Sequence, residues 1–121
     1  MKKIKLTSSE NDSSVFVAEV KTTEKISIDA IECVLSDKVH SKLLLKDRNI
    51  LRVRKSLNEW EQILPSKTFI RINRSVIINL NYVKKICKSE NQTLLITMQD
   101  YDQPLIMSRN YSSRLKGTLI F

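Results

Sequence analysis

The residues whose types and spacing could do chemistry are concentrated in one segment, FIRINRSVIINLNYVKKI (residues 69–86). Its apolar flanks are interrupted by cationic and amide side chains, namely Arg71, Asn73, Arg74, Asn79 and Asn81. Arginine pairs bidentately with guanine edges and asparagine with adenine edges, whereas lysine, serine and backbone N–H groups bind phosphates. Apolar flanks hold such a polar loop rigidly, so the segment predicts contact with nucleic acid.

Two further polar turns carry the same residue types. Ser108-Arg109-Asn110 opens a predicted helix, whose free N–H groups and dipole favour a phosphate. The other turn is SDKVHSK (residues 36–42), which contains Lys38 and the single histidine, His40. The sequence therefore predicts three polar turns as the contact region.

The charge of the chain points to a polyanionic partner. The 121 residues suit one domain, and 21 Lys and Arg against 13 Asp and Glu give a net charge of +8. Residues 1–64 hold 12 basic and 10 acidic side chains, whereas residues 65–121 hold nine and three. No carboxylate occurs between Ser66 and Lys88, so we expect the partner to touch the C-terminal half.

Catalytic chemistry has little support in the sequence. His40 has no motif around it. The sequence has no nucleophile next to a base, and no pair of carboxylates, at a spacing typical of a catalytic site. Cys33 and Cys87 each lie in an apolar run, which predicts two buried thiols rather than a redox or metal site. We therefore expect no enzyme, no cofactor and no metal.

The start of the chain lacks a signal peptide's apolar core, and no run is long enough to span a membrane, so a cytoplasmic protein is expected.

The elements that must position the turns are mostly short strands. Alternating or continuous apolar runs predict strands within residues 15–28 (two), 30–35, 43–45, 50–53, 69–72, 76–80, 82–88, 93–98 and 105–107. Ser56 and Glu59 form a capping-box pattern ahead of a helix that Pro65 ends. A closing helix after Ser108 is predicted by Tyr111, Leu115 and Leu119 at helical spacing.

Four segments resemble the LytTR-type DNA-binding domain, an effector module of bacterial response regulators. The most specific is FIRINRSVIINL, where the triplet Asn73-Arg74-Ser75 matches a His-Arg-Ser-like triplet and Asn73 replaces the usual histidine. The others are ISIDAIECV, SLNEWEQILP and MSRNYSSRL, which follow in family order from residue 26 onward.

The resemblance implies a mainly β fold, an elongated stack of antiparallel β-sheets with one or two short helices. Loops, rather than a recognition helix, would enter successive major grooves of double-stranded DNA and bend the duplex. Residues 26–121 would form this domain as one compact unit, and residues 1–25 would be an N-terminal extension with the first strand.

Position by position, the resemblance assigns DNA contact to Lys38 to His40, to Asn73 to Ser75 and to Ser108 to Asn110, the three turns already found. Arg74 and Arg109 are expected to reach base edges, and His40 a base or a phosphate. The residues expected to fix the DNA backbone are Ser75, Lys84 and Ser108.

The resemblance also implies partners. Family members bind paired direct repeats, so promoter repeats and a homodimer on DNA are expected. Only some 25 residues precede the LytTR-like region, which predicts either a regulator without a receiver domain or an excised effector domain. The activity of a complete regulator of this kind would be controlled by its abundance or by a regulatory partner protein, which could be membrane-bound.

Other interpretations stay open at this point. The basic surface could dock an acidic protein, or it could bind single-stranded RNA, although the aromatic residues of the basic region, Phe69, Tyr82 and Tyr111, each have an apolar role available. Arg71 could pair with a carboxylate, and the lysines at 84, 85 and 88 could be a solvated strand edge.

Overall fold

The computed structural model describes residues 5–7, 14–18, 23–91 and 93–112, which fold mainly as short strands. The strands are β1 (Lys5–Thr7), β2 (Ser14–Ala18), β3 (Thr23–Ser27), β4 (Ile31–Asp37), β5 (His40–Leu45), β6 (Ile50–Val53), β7 (Phe69–Asn73), β8 (Val76–Asn79), β9 (Val83–Lys88), β10 (Leu94–Met98) and β11 (Leu105–Met107). They are joined by two α-helices, α1 (Leu57–Ile63) and α2 (Arg109–Ser112), and by two 3-10 helices, Ile28–Ala30 and Leu80–Tyr82.

The strands form three antiparallel sheets. The central sheet has the order β6-β5-β4-β8-β7, and it is flanked by a sheet of order β1-β2-β3 and a sheet of order β11-β10-β9. All four residues of β8 are buried, because this inner strand has an apolar core on each face: Ile77 belongs to one core and its neighbour Ile78 to the other. The mainly β, antiparallel fold expected from the resemblance is confirmed.

The first core lies between the central sheet, α1 and the β1-β2-β3 sheet. Val15 of β2 and Ile26 of β3 pack there with Trp60 of α1, which is fully buried. The Trp60 indole N–H donates to Ser41 Oγ on β5 at 2.7 Å, so the helix is fixed against the sheet at one point. β3 continues across the expected boundary between residues 25 and 26, and that boundary stays a prediction.

The second core lies between the opposite face of the central sheet and the β11-β10-β9 sheet. In β10 every second residue is buried, namely Leu94, Ile96 and Met98, which is the pattern of a strand with one face covered. Leu105 and Met107 of β11 are buried with them, while Ile106 between them is 54% exposed. The second core therefore supports the strands that lead into the Ser108 turn.

Helix α1 begins as the sequence predicts. The Ser56 Oγ accepts a hydrogen bond from the Glu59 N–H at 3.2 Å, and Glu59 Oε1 accepts one from the Ser56 N–H at 3.1 Å. This capping box satisfies two backbone N–H groups that have no partner inside the helix. The bond from the Ser56 N–H, followed by that from Lys55, lowers the pKa of the Glu59 carboxyl.

The predicted strands and hairpins are confirmed, with β5 beginning three residues earlier than predicted, whereas β1 is a strand that the sequence did not predict. The burial predicted for both cysteines is right for Cys33 and wrong for Cys87, which is exposed because it lies with Ile106 on the uncovered face of the β11-β10-β9 sheet. Burial raises the pKa of the Cys33 thiol to about 12.

The closing helix is described only as far as Ser112, so Leu115 and Leu119, which were part of its predicted pattern, lie outside the described residues. Within the described ranges, no helix has the length and apolar character needed to cross a membrane.

Candidate nucleic-acid interface

The three predicted turns lie side by side at one end of the sheets. The Ser36 N–H donates to the Ser75 carbonyl at 2.8 Å, which joins the β4–β5 turn to the β7–β8 turn. The Ser108 N–H donates to the Ile72 carbonyl at 3.0 Å, which joins the start of α2 to β7. These bonds place Lys38–His40, Asn73–Ser75 and Ser108–Asn110 along one boundary, called here the three-turn edge.

Asn73 holds the middle turn in shape. Its Oδ1 accepts from the Ser75 N–H at 2.7 Å, and its Nδ2 donates to the Ile106 carbonyl of β11, also at 2.7 Å. Both ends of the amide are therefore bound within the protein. Asparagine bonding to the backbone two residues later is a common way to fix a turn. The two hydrogen bonds of Asn73 therefore stabilise the turn and connect it to β11.

Arg74, at the tip of the same turn, is exposed, and so is Arg109 after Ser108. Among the described residues neither guanidinium forms an ion pair. Arg109 Nη2 makes one long contact, 3.5 Å, to the carbonyl of Asn91 in the β9–β10 turn. Both arginines are therefore available to a ligand that approaches the three-turn edge.

The β4–β5 turn presents Lys38 and Val39, and His40 follows as the first residue of β5. Lys38 has φ of 58°, a left-handed conformation that a side chain makes costly, and Val39 is 61% exposed at the tip. Half-buried His40 lies with Nδ1 3.5 Å from Nη2 of Arg52, whose Nε forms an ion pair with Asp37 at 3.0 Å. The His40 ring is thus supported from β6, while Lys38 projects freely.

Lys84 stays apart from this edge. It lies at the start of β9, whereas Lys88 ends the strand next to the β9–β10 turn that Arg109 contacts. Four residues of strand span about 13 Å. Exposed lysines on an edge strand also discourage pairing with another chain. The structure therefore does not bring Lys84 together with the three turns.

One important residue was not singled out as a site residue from the sequence. The guanidinium of Arg71 donates through Nε to the Asn73 carbonyl at 3.3 Å and through Nη2 to the Arg74 carbonyl at 2.7 Å. Its Nη1 pairs with Glu61 Oε1 of α1 at 3.3 Å and also contacts Asn58. The carboxylate pairing considered for Arg71 is confirmed, but its contacts to the turn required the fold to be seen.

The opposite end of the sheets has a different charge. Carboxylates gather there on the loops that join the strands, namely Asp29, Asp47, Asp100 and Asp102. Glu32, buried at the bulge of β4, accepts the Asp100 N–H at 2.8 Å, and burial raises the pKa of its carboxyl. Burial also raises the pKa of Tyr82, whose hydroxyl donates to the Asp29 carbonyl at 2.6 Å. These carboxylates offset the cations of the same end, such as Lys46 and Arg48, whereas the three-turn edge has a surplus of cations.

Aromatic side chains do not form a stacking platform at this edge among the residues described. Phe69 is buried in the first core, and Tyr82 and Tyr111 pack against the second core. Single-stranded nucleic acid is usually gripped by exposed rings. The geometry thus favours a duplex over a single strand.

The fold and the edge together define a class: a small antiparallel β protein that presents cationic turns to a polyanion. The LytTr DNA-binding domain family matches residues 21–120, and the chain belongs to this family. It is a DNA-binding domain of the kind used in transcription regulation.

Two similar proteins agree with this assignment. Sensory transduction protein LytT of Bacillus subtilis (strain 168) is 37% identical over 59 residues, which are 49% of this chain and 24% of that protein. The match therefore spans about a quarter of the relative's length. The LytTr DNA-binding domain of a Bacillus cereus protein has a similar fold, with a TM-score of 0.76 at 24% identity, over 92% of this chain and 100% of that one.

The left-handed Lys38 allows a test that separates DNA contact from stability. Glycine adopts positive φ without a steric cost but loses more entropy on folding, so we expect Lys38→Gly to change the free energy of unfolding by less than about 1 kcal/mol. Loss of the cation should weaken binding of every duplex by about three- to tenfold. Chemical denaturation and duplex titration measure the two effects.

Arg48 provides the matched control. It is also a cation with positive φ, 69°, but it lies in the β5–β6 turn at the opposite end. Arg48→Gly should have a similar effect on stability and leave duplex binding unchanged. Equal weakening by both variants would show that net charge, and not the position of Lys38, governs the affinity.

Proposed function

We propose that this chain is a transcription regulator that binds double-stranded DNA sequence-specifically and places its three turns in successive major grooves. The observation that carries the proposal is the convergence of three turns, each with an exposed cation, on one edge of a rigid β stack. A major groove about 12 Å wide admits such turns. The resemblance to loop-reading LytTR domains gave the same three positions.

The residues of the three-turn edge have different proposed roles, some in reading bases and others in binding the DNA backbone. Arg74 and Arg109 are the proposed base-reading residues, because they are exposed, unpaired by any described carboxylate and mounted on anchored turns. Lys38 and His40 contact the backbone or a base of the next groove. Ser75, Ser108 and Asn110 would bind the phosphates beside the two arginines.

Asn73 and Lys84 receive narrower roles in this proposal. Asn73 already forms one bond at each polar end, so it contributes by shaping the turn and by adding at most two further bonds, one donated by Nδ2 and one accepted by Oδ1. Lys84 lies along β9 away from the edge, so it would meet only a phosphate that flanks the site, on DNA bent toward the sheet.

The wider assembly is also part of the proposal. Two copies, as a homodimer on DNA, would occupy paired direct repeats in a promoter. The input that controls them would be a regulatory partner protein or the abundance of the regulator.

Selection of preferred duplexes from a random pool tests the proposed function. The selected duplex and a shuffled duplex of equal length are then titrated with the protein at one salt concentration. We expect the selected duplex to bind at least about a thousand times more tightly, as specific regulators do. This ratio is measured by fluorescence anisotropy.

A different outcome would favour the alternative function, a basic protein-interaction module. No enrichment in the selection, together with equal weak binding of both duplexes, would contradict sequence-specific recognition. Tight, salt-insensitive binding of an acidic protein instead would then indicate that the edge docks a protein surface.

A further inference from the structure

The network around Arg71 links helix α1 to the middle turn of the three-turn edge. Arg71 points to the face of β7 that packs on α1, and its side chain is only 12% exposed. All three guanidinium nitrogens are bound: two reach carbonyl groups of the turn, and the third reaches Glu61 and Asn58 of the helix. These bonds use four of the five N–H groups of the guanidinium inside the protein.

The turn depends on these bonds for its shape. The register of β7 against β8 shifts between Arg71 and Asn73, so that Ile72 has no partner on β8, and Arg74 lies just beyond the last pair, Asn73 with Val76. Arg71 supplies donors for the Asn73 and Arg74 carbonyl groups from one planar fork, which fixes their spacing as well as their direction. The backbone that carries Arg74 is thereby set by a residue on the covered face of the strand.

We propose that Arg71, anchored by Glu61, is a positioning residue that sets sequence preference without touching DNA. The inference rests on the proposed function, because it concerns how Arg74 is aimed at a base edge. A base-reading arginine requires both of its bonds to be aligned, whereas a phosphate contact tolerates a moving turn. Loosening the turn should therefore cost specificity and leave non-specific binding in place.

The principal variant is Arg71→Met, which keeps an unbranched stem and removes every donor. The selected and shuffled duplexes are titrated at two salt concentrations. We expect the ratio of the two affinities to fall at least about tenfold, while the shuffled duplex binds within about threefold of wild type. The slope of log affinity against log salt should stay at its wild-type value, because Arg71 neutralises no phosphate.

Two further variants separate geometry from charge. Arg71→Lys keeps the positive charge but cannot bridge two carbonyl groups and a carboxylate, so it should lose as much specificity as Arg71→Met. Glu61→Ala leaves the bonds to the turn and removes the anchor, so it should lose less, about threefold. The Glu61 variant keeps the test decisive if Arg71→Met fails to fold.

Lys55→Met is the matched control. The Lys55 side chain is also a nearly buried cation, 14% exposed, and it pairs with Glu59 of α1 at 3.3 Å, but among the described residues it forms no hydrogen bond to the β7–β8 turn. It should lose one positive charge and an ion pair while keeping the wild-type affinity ratio. Backbone amide signals of residues 73–75 should shift in Arg71→Met and not in Lys55→Met.

Three results would overturn the inference. An unchanged affinity ratio in Arg71→Met would show that the turn keeps its shape without Arg71. A parallel loss on both duplexes with a shallower salt slope would make Arg71 a phosphate contact. Wild-type protein that does not distinguish the two duplexes would contradict the proposed function itself, and the inference with it.

Discussion

Raising the salt concentration from about 50 to about 200 mM is expected to weaken binding of the selected duplex about a thousandfold. Six exposed cations lie on or beside the three-turn edge and form no ion pair with a described carboxylate, namely Lys38, Lys42, Arg54, Arg74, Lys88 and Arg109. If each neutralises one phosphate, log affinity falls with log salt at a slope of about −5. Titrations at four or more salt concentrations measure this slope.

Single substitutions assign the slope to particular residues. Lys42→Ala should make it shallower by about one, because one phosphate contact is lost. Lys46→Ala is the control, since Lys46 is an exposed lysine in the β5–β6 turn at the opposite end. A slope near −1 for the wild type, or an equal change for both variants, would contradict the proposed duplex surface.

The uneven charge of the molecule gives the salt effect a direction. Carboxylates at 29, 47, 100 and 102 stand at the end opposite the three turns. Because these carboxylates offset the cations of their own end, the attraction to a polyanion is concentrated at the three-turn edge and orients the protein before contact. The association rate should therefore fall with salt more steeply than the net charge alone implies.

Much of the fold could be predicted because each element has a local cause. The capping box of Ser56 and Glu59 and the period-two strands are patterns of neighbouring residues, and the structure confirms them. The burial predicted for Cys87 is wrong for a related reason: an apolar run does not reveal which faces of its sheet are covered, and Cys87 lies on the uncovered face. Sheet order is a long-range property that such patterns do not contain.

The candidate site also has a part that local sequence patterns predict and a part that depends on the fold. The three turns could be predicted from residue type, and their adjacency follows from strand pairing that the sequence alone did not supply. Asn73 and Arg71 were both candidates by type, yet the structure shows one tied to Ile106 of β11 and the other tied to α1. Those partners lie 33 and 10 residues away along the chain, so no local pattern could have identified them.

The loss of both proposed base-reading residues gives the second large effect. We expect Arg74→Ala and Arg109→Ala to cost about 1–3 kcal/mol each for the selected duplex. The two side chains stand on separate turns and share no recorded hydrogen-bond partner among the described residues, so the costs should add to about 4 kcal/mol, or about a thousandfold in affinity. The shuffled duplex should lose far less, and the double variant should no longer prefer the selected site.

A charge-matched double variant, Lys42→Ala with Arg54→Ala, provides the comparison. It removes two exposed cations near the same edge that do not stand at the tip of a turn. Because these side chains are suited to phosphates rather than to bases, both duplexes should weaken by the same factor, and the preference should persist. If the two double variants lose affinity alike on both duplexes, Arg74 and Arg109 bind the DNA backbone, and the sequence is read by other residues.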